Sequence, residues 1–390
     1  MQWTKGRMGQ NSRIEKLVPN WHEGPRIMIH TASYGEYEMS IPIISELQKT
    51  IPELNCIISF YSPSGYENVT FSDSKFVKIY LPLDTISNQR KLIELIRPDA
   101  VIFIKYEFWY NLLRVLSGNN SKSIAIPYYY TSINIPEDSY LWNPLAKSLL
   151  NLIKNGRLWC HNETNMAFLK NRGIEKLELL GDTRIDKVIK NVSTHNHPIL
   201  FDNTDNVKII FGSLCPEDLD MAVDYINNNQ EYNYAIAPHD VEESFVKEIR
   251  NRLKISSVLY SRMITESDNH NLVIIDTLGD LKFLYKGFDI AYVGGGFSKG
   301  PHNLLEPLIY GTKIICGSNI IKFPLAQDLQ KKGLLLVMNK QMELETYIDE
   351  AINTDENLFI QKKEAYIQDN KSRLPQLIKE LKQLLNPNPS

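Results

Sequence analysis

Apolar runs of four to seven residues, each set off by a helical stretch, recur along nearly the whole chain. The first series is Arg26–His30, Asn55–Phe60, Val77–Leu81, Ala100–Tyr106, Ser123–Tyr128, Leu158–His161 and Leu177–Leu180. The second is Val207–Phe211, Tyr234–Ala237, Leu272–Asp276, Ile290–Val293, Lys313–Cys316 and Leu334–Val337. Strands alternating with helices build parallel sheets covered on both faces, and such strands read as continuous apolar runs. Between the series lie His195-Asn196-His197-Pro198 and Asp202-Asn203-Thr204-Asp205-Asn206, a polar, turn-forming linker. The fold class expected is therefore α/β, with two Rossmann-like doubly wound domains, residues 1–198 and 199–390, facing across a cleft. Ligands of such sheets bind outside the carboxyl ends of the strands.

The sequence has 390 residues, enough for two cores, and a net charge of -3. That balance argues against a broad nucleic-acid surface, which needs many clustered cations. Cys56, Cys160, Cys215 and Cys316 are far apart and fit buried thiols rather than a zinc pattern, and no cluster has metal-ligand spacing. The chain has no run of 18 apolar residues and begins with polar sequence, so neither a membrane span nor a signal peptide is expected. The basic leader, with Lys5, Arg7, Arg13 and Lys16, reads as a solvated end or as a contact for anionic lipid.

The candidate chemistry lies where strands run into helices. In Gly294-Gly295-Gly296-Phe297-Ser298-Lys299-Gly300-Pro301-His302-Asn303-Leu304-Leu305-Glu306-Pro307, glycines allow close approach of backbone to a ligand, and His302, Asn303 and Glu306 sit where a nucleotide's phosphate and ribose would lie. Pro301-His302 stands where a Walker loop needs Lys-Ser/Thr, so a nucleotide is expected without P-loop chemistry. Asn303 and Glu306 also match a capping box, with Pro307 in the first turn of a helix starting near Asn303. Gly212 and Ser213 stand against a phosphate or, alternatively, precede a Pro-started helix with an acidic first turn. Asp276-Thr277-Leu278-Gly279-Asp280 reads as a base or ribose contact or as a helix cap. A lone histidine such as His239 is more often structural.

In the first half, Ser33-Tyr34-Gly35-Glu36 offers Glu36 either as a capping-box carboxylate or as a general base, with Gly35 leaving room for substrate. Glu107 and Trp109 suit a sugar, though Trp109 is equally a core residue.

Together these loops resemble the 3-deoxy-D-manno-octulosonic acid (Kdo) transferases of lipopolysaccharide assembly. The likeness is carried by His30-Thr-Ala-Ser-x-Gly-Glu36, Ser62-Pro-Ser-Gly65, Tyr80-Leu-Pro-x-Asp84, Glu107-Phe-Trp-x-Asn111 and Gly181-Asp-Thr-Arg-Ile-Asp186. It continues through Gly212-Ser213, Asp276-Thr-Leu-Gly-Asp280, Gly294-Gly295 and Gly300-x-His-Asn-x-x-Glu-Pro307. The resemblance implies the glycosyltransferase B-type fold and inverting transfer of Kdo from CMP-Kdo to the lipid A precursor. It places that reaction, through peripheral contact, on the cytoplasmic face of the bacterial inner membrane, with no cofactor or metal.

The same resemblance makes Glu36 the base. It places CMP-Kdo against Gly212, Ser213, Leu278, Gly279, Asp280, Gly295, His302, Asn303 and Glu306, and gives Ser33, Gly35, Ser64, Gly65, Glu107, Trp109 and Arg184 to substrate. Lys299, Arg184 and Lys322 are the cations available for the Kdo carboxylate. Family members usually start with an apolar N-terminal anchor that this sequence does not show, so either the anchor was removed or the start is later than the natural one. The chain also has Pro238-His239 without the family's arginine, Lys105-Tyr106 for Glu-Thr, and Asp280 for Glu. The alternatives are a B-type enzyme with a UDP-sugar donor and a non-catalytic nucleotide-binding protein.

Overall fold

The computed structural model describes residues 14–15, 23–104, 109–117, 128–131, 144–154, 156–194, 199–202, 204–263 and 270–385. They form two compact units: residues 1–187 with 370–390, and residues 188–369.

The strands of the first unit are β1 (Arg26–Thr31), β2 (Asn55–Phe60), β3 (Phe76–Tyr80), β4 (Ala100–Ile104), β5 (Tyr128–Thr131), β6 (Arg157–Cys160) and β7 (Leu177–Leu179). They make one parallel sheet in the order β3-β2-β1-β4-β5-β6-β7. The order reverses between β1 and β4, the switch point at which doubly wound sheets bind ligands. Side-chain alternation feeds a core on each face. Ile27 and Ile29 pack with Ile43 and Leu47 of the Tyr34–Thr50 helix, whereas Met28 packs with Val101, Phe103 and Leu112.

The second unit repeats the plan with β8 (Lys208–Leu214), β9 (Asn233–Pro238), β10 (Val258–Leu259), β11 (Leu272–Ile274), β12 (Ile290–Val293), β13 (Lys313–Gly317) and β14 (Leu335–Met338). Its parallel order is β10-β11-β9-β8-β12-β13-β14, with the reversal between β8 and β12. Ile209 and Phe211 face one core and Ile210 the other.

The α/β expectation holds, with differences of detail. β10 was not anticipated, since two residues carry no readable period. β5 starts at Tyr128, where the expected run ended, and residues 118–127 lie outside the described ones. The division into 1–198 and 199–390 needs correction at both ends, because the boundary falls inside the Thr183–Thr194 helix and the chain returns to the first unit at residue 370.

That return has a physical cause. Leu374, Leu377, Ile378, Leu381 and Leu385 line one face of the Leu374–Leu385 helix and bury it in the core that holds Ile43 and Leu47. Gly181 to Asp186 fasten the returning segment. The Asp182 amide donates to Asn370 O at 2.8 Å, the Ser372 amide to Asp186 Oδ2 at 3.1 Å, and the Arg373 amide to Leu180 O at 2.5 Å. Gly181 has φ +83, and a Cβ there would sit 2.6 Å from Lys371 O, so only glycine fits.

Among the described residues no helix is long and apolar enough to cross a membrane, and no group of three or more His, Cys, Asp or Glu side chains is placed to hold a metal ion.

Candidate active site

The first unit presents its polar residues just beyond β1. Ser33 is the N-cap of the Tyr34–Thr50 helix, with extended backbone. Glu36 reaches back so that Oε2 accepts the Ser33 amide at 2.9 Å and the Ser33 hydroxyl at 3.3 Å. The capping contact therefore forms, and it fixes the carboxylate at the carboxyl edge of the sheet beside the switch point. Gly35 is exposed, and a Cβ on it would meet nothing within 4 Å. Packing does not demand glycine at this position.

The Ala32 carbonyl joins this turn to the next, accepting the Tyr61 and Ser62 amides at 3.2 and 2.7 Å. Ser62 Oγ takes the Ser64 amide at 3.2 Å, which leaves Ser64 exposed on the first turn of the Pro63–Asn68 helix. Gly65 has a packing reason instead, since its Cβ would lie 2.2 Å from the Phe60 ring. Trp109 donates its indole N–H to His30 Nε2 at 2.7 Å. Glu107 lies outside the described residues.

Two of the resembling motifs do structural work. Asp84 takes the Asn111 and Leu112 amides on separate carboxylate oxygens, at 2.9 and 3.0 Å, and so caps the Tyr110–Ser117 helix. Arg184 grips buried Asp182, with Nη2 2.6 Å from Oδ2 and Nε 3.0 Å from Oδ1. Burial pushes the Asp182 carboxyl up, but the charge and hydrogen bonds of Arg184, helped by His161, outweigh it and hold the group below its ordinary value. The guanidinium is thus committed within the unit, a role the substrate reading had not anticipated.

In the second unit the loops after β8, β9, β11 and β12 share one sheet edge. β8 runs on through Gly212 to Leu214, past the expected end at Phe211. Gly212 makes room for a side chain, since its Cβ would fall 2.2 Å from the Tyr285 hydroxyl. Ser213 holds φ +51, which non-glycine residues adopt sparingly and which clusters at functional sites.

The glycine turn after β12 is closed on itself. The Ser298 and Gly300 amides both donate to Gly295 O, the His302 amide to Gly294 O, and the Gly295 amide to Asp218 Oδ2 at 3.0 Å. The amides of Gly295, Ser298, Gly300 and His302 are thus taken by the chain's own acceptors. Asp218 is the residue missed. It is 1% exposed and also takes the Tyr292 hydroxyl at 2.8 Å and the Cys215 amide at 3.4 Å, joining the β8 and β12 turns.

His302 stacks on His239 with ring centroids 4.2 Å apart, and its Nε2 lies 3.6 Å from Cys215 Sγ. Burial and the neighbouring His239 lower its pKa, against the opposing pull of Asp218 and Asp240. Burial pushes the Cys215 thiol up to about 11, aided by Asp218, so it stays protonated and inert. The fold brings His239 to His302, whereas His30 belongs to the first unit.

Asn303 is exposed and its Oδ1 takes the Leu305 amide at 3.0 Å. The helix runs from Leu305 to Tyr310 with Leu304 as N-cap, so the expected Asn303–Glu306 capping box gives way to this single bond. Glu306 lies near Tyr285 and Tyr310, where burial first and its charge second raise both phenols. Leu278 is 78% exposed, Gly279 holds φ +89, and Asp280 Oδ2 accepts the Thr277 hydroxyl at 2.5 Å. An open apolar tip beside a fixed carboxylate can take a flat base and a ribose hydroxyl.

Residues 4–187 match the family model described as 3-Deoxy-D-manno-octulosonic-acid transferase (kdotransferase), a match that ends where the first unit hands over to the second. The 3-deoxy-D-manno-octulosonic acid transferase of Haemophilus influenzae is 25% identical over 358 residues, 85% of this chain and 80% of that protein. That of Chlamydophila psittaci is 24% identical over 330 residues, 81% of this chain and 75% of that protein. A bifunctional glycosyltransferase/methyltransferase of Fusobacterium nucleatum is 25% identical over 364 residues, and this chain spans only 55% of its length. The resemblance to the Kdo transferases thus extends over most of the chain. Among solved structures, UDP-GlcNAc 2-epimerase from Neisseria meningitidis superposes with TM-score 0.57 at 15% identity, over 93% of this chain and all of that one. The glycosyltransferase VinC superposes with TM-score 0.54 at 11% identity, over 93% of this chain and 100% of that one. The fold is the glycosyltransferase B-type.

Proposed function

We propose that this chain is a Kdo transferase, moving Kdo from CMP-Kdo to a hydroxyl of the lipid A precursor with inversion at the anomeric carbon. The observation that carries the reading is Glu36, anchored by Ser33 at the switch-point edge of the first sheet within a motif that resembles the family's. An acceptor hydroxyl is a poor nucleophile at neutral pH, and a positioned carboxylate that removes its proton contributes about 10²–10⁴-fold. As Glu36 takes that proton, the hydroxyl oxygen bonds to the anomeric carbon and the bond from that carbon to the CMP phosphate oxygen breaks. CMP departs with the electron pair.

The second unit supplies the donor site. Leu278, Gly279 and Asp280 take the nucleoside, and Ser213, His302 and Asn303 face the phosphate. Gly295 shapes the turn through Asp218, and Gly212 accommodates Tyr285 behind it. The Kdo carboxylate falls to Lys299 or Lys322, both exposed, since Asp182 engages Arg184. No metal or cofactor enters the reaction. A lipid-borne acceptor calls for peripheral contact with a membrane, and the resemblance to the Kdo transferases favours the cytoplasmic face of the inner membrane.

The test is transfer from CMP-Kdo, generated in situ, to detergent-dispersed tetraacylated lipid A precursor. Glu36→Gln keeps an oxygen for the Ser33 amide and should melt with the wild type, yet transfer about 10²–10⁴-fold more slowly. A folded wild type that gives no product, and is protected against heat by UDP and not by CMP, would sink the reading in favour of another donor.

A further inference from the structure

Beside the candidate base lies an arrangement that the proposed chemistry leaves unused. His30 is fully buried, yet both ring nitrogens are engaged: Nδ1 is 2.8 Å from Ser59 Oγ, and Nε2 faces the Trp109 indole nitrogen at 2.7 Å. An indole nitrogen only donates, so Nε2 accepts and the imidazole proton sits on Nδ1, toward Ser59. His30 and Trp109 meet edge to face, with centroids 5.7 Å apart and planes at 86°. The indole is therefore locked in rotation as well as position.

Its aromatic partner is Tyr61, whose ring lies 4.8 Å from that of Trp109 at 42°. The Tyr61 amide is bonded to Ala32 O, in the turn that carries Ser33 and Glu36. Both rings are half-buried. Trp109 packs on the core that holds Phe103 and Leu112, but packing asks only for bulk, and burying a polar relay beside it brings a desolvation penalty for little gain. Orienting an indole through a buried histidine makes sense where the ring must present one face to a ligand. Binding sites for small organic groups pair such aromatic walls with a few placed polar groups, here Glu36 and the Ser64 hydroxyl.

We propose that Tyr61 and Trp109 form a platform for the apolar face of a pyranose ring, the sugar headgroup of the acceptor, with His30 as the positioning residue that sets the indole. This rests on the acceptor being a glycolipid, as proposed above. The platform itself requires only a sugar.

Two measurements on the full chain test it. In the transfer assay Tyr61→Ala should raise the acceptor KM about 5–20-fold while kcat and the donor KM stay within about twofold. Tyr61→Phe, which keeps the ring, should restore the wild-type value. Trp109→Phe, which loses the bond to His30, should fall between. An unchanged acceptor KM in Tyr61→Ala, or an equal rise in the donor KM, overturns the platform. Separately, a soluble glucosamine disaccharide should change tryptophan fluorescence in the wild type and not in Trp109→Phe. A wild type that transfers no Kdo but shows this response would defeat the function and keep the platform. One that transfers Kdo and shows no response would do the reverse.

Discussion

The Asp218 carboxylate accepts the amide of Gly295, 77 residues further along the chain, at 3.0 Å, and thereby joins the two turns that flank the second switch point. Its other oxygen holds Tyr292, whose phenol is pushed up by burial and by Asp218 and so remains a donor. Asp218→Ala leaves that hydroxyl and two amides without their acceptor and should cost about 3 kcal/mol in urea denaturation. Tyr292→Phe should cost about 1–1.5 kcal/mol. The two losses should be less than additive in the double mutant, because they share a bond.

Gly300 has φ +116, and a Cβ there would lie 1.9 Å from the Phe323 ring. Gly300→Ala should therefore lower stability by about 1–3 kcal/mol and, if the proposed donor site is right, weaken CMP binding as the turn shifts. Adding Phe323→Leu should recover the steric part of the loss and leave the backbone part. Thermal melts of the single and double variants separate the two.

Asp182 predicts an acid limb. Its folded pKa is depressed from an ordinary 3.8, so its contribution is fully present above that pH and is lost as pH falls below it through the folded value. Arg184→Gln removes the partner of a carboxylate 3% exposed and should cost about 2–3 kcal/mol at pH 7. The difference from wild type should shrink below about pH 3.8, as followed by urea melts across pH. A constant difference down to pH 2 would contradict this assignment.

His302 works in the same direction, in a higher pH window. Its folded pKa lies below an ordinary 6.5, so the unfolded chain binds the proton more readily, and stability declines as pH drops below 6.5. His302→Phe keeps a ring to stack on His239 and cannot be protonated. Its stability should vary less than the wild type's between about pH 6.5 and 5, read from thermal melts.

The apolar strand runs were legible because a strand covered on both faces needs little but branched aliphatics, as Ile27–Ile29 and Ile290–Val293 show. The helical face of Leu374 to Leu385 was equally visible in the sequence, but spacing gives a face without naming what covers it. The first unit claimed that helix through Ile43 and Leu47, which lie more than 300 residues earlier. Glu36 was readable as a capping carboxylate, and the fold forms that contact. Asp218 was not, since it looks like one more acid in the first turn of a Pro-started helix. Its partners become neighbours only when β8 and β12 pair. The His239–His302 stack was hidden for the same reason.

The return of the chain at residue 370 also sets an order of events during synthesis. Residues 188–369 are contiguous, so the second unit has all its strands before the last helix leaves the ribosome. The first unit, although begun earlier, waits with the apolar surface around Ile43 and Leu47 uncovered until Leu374–Leu385 arrives to close it. The half of the protein made first is the half finished last.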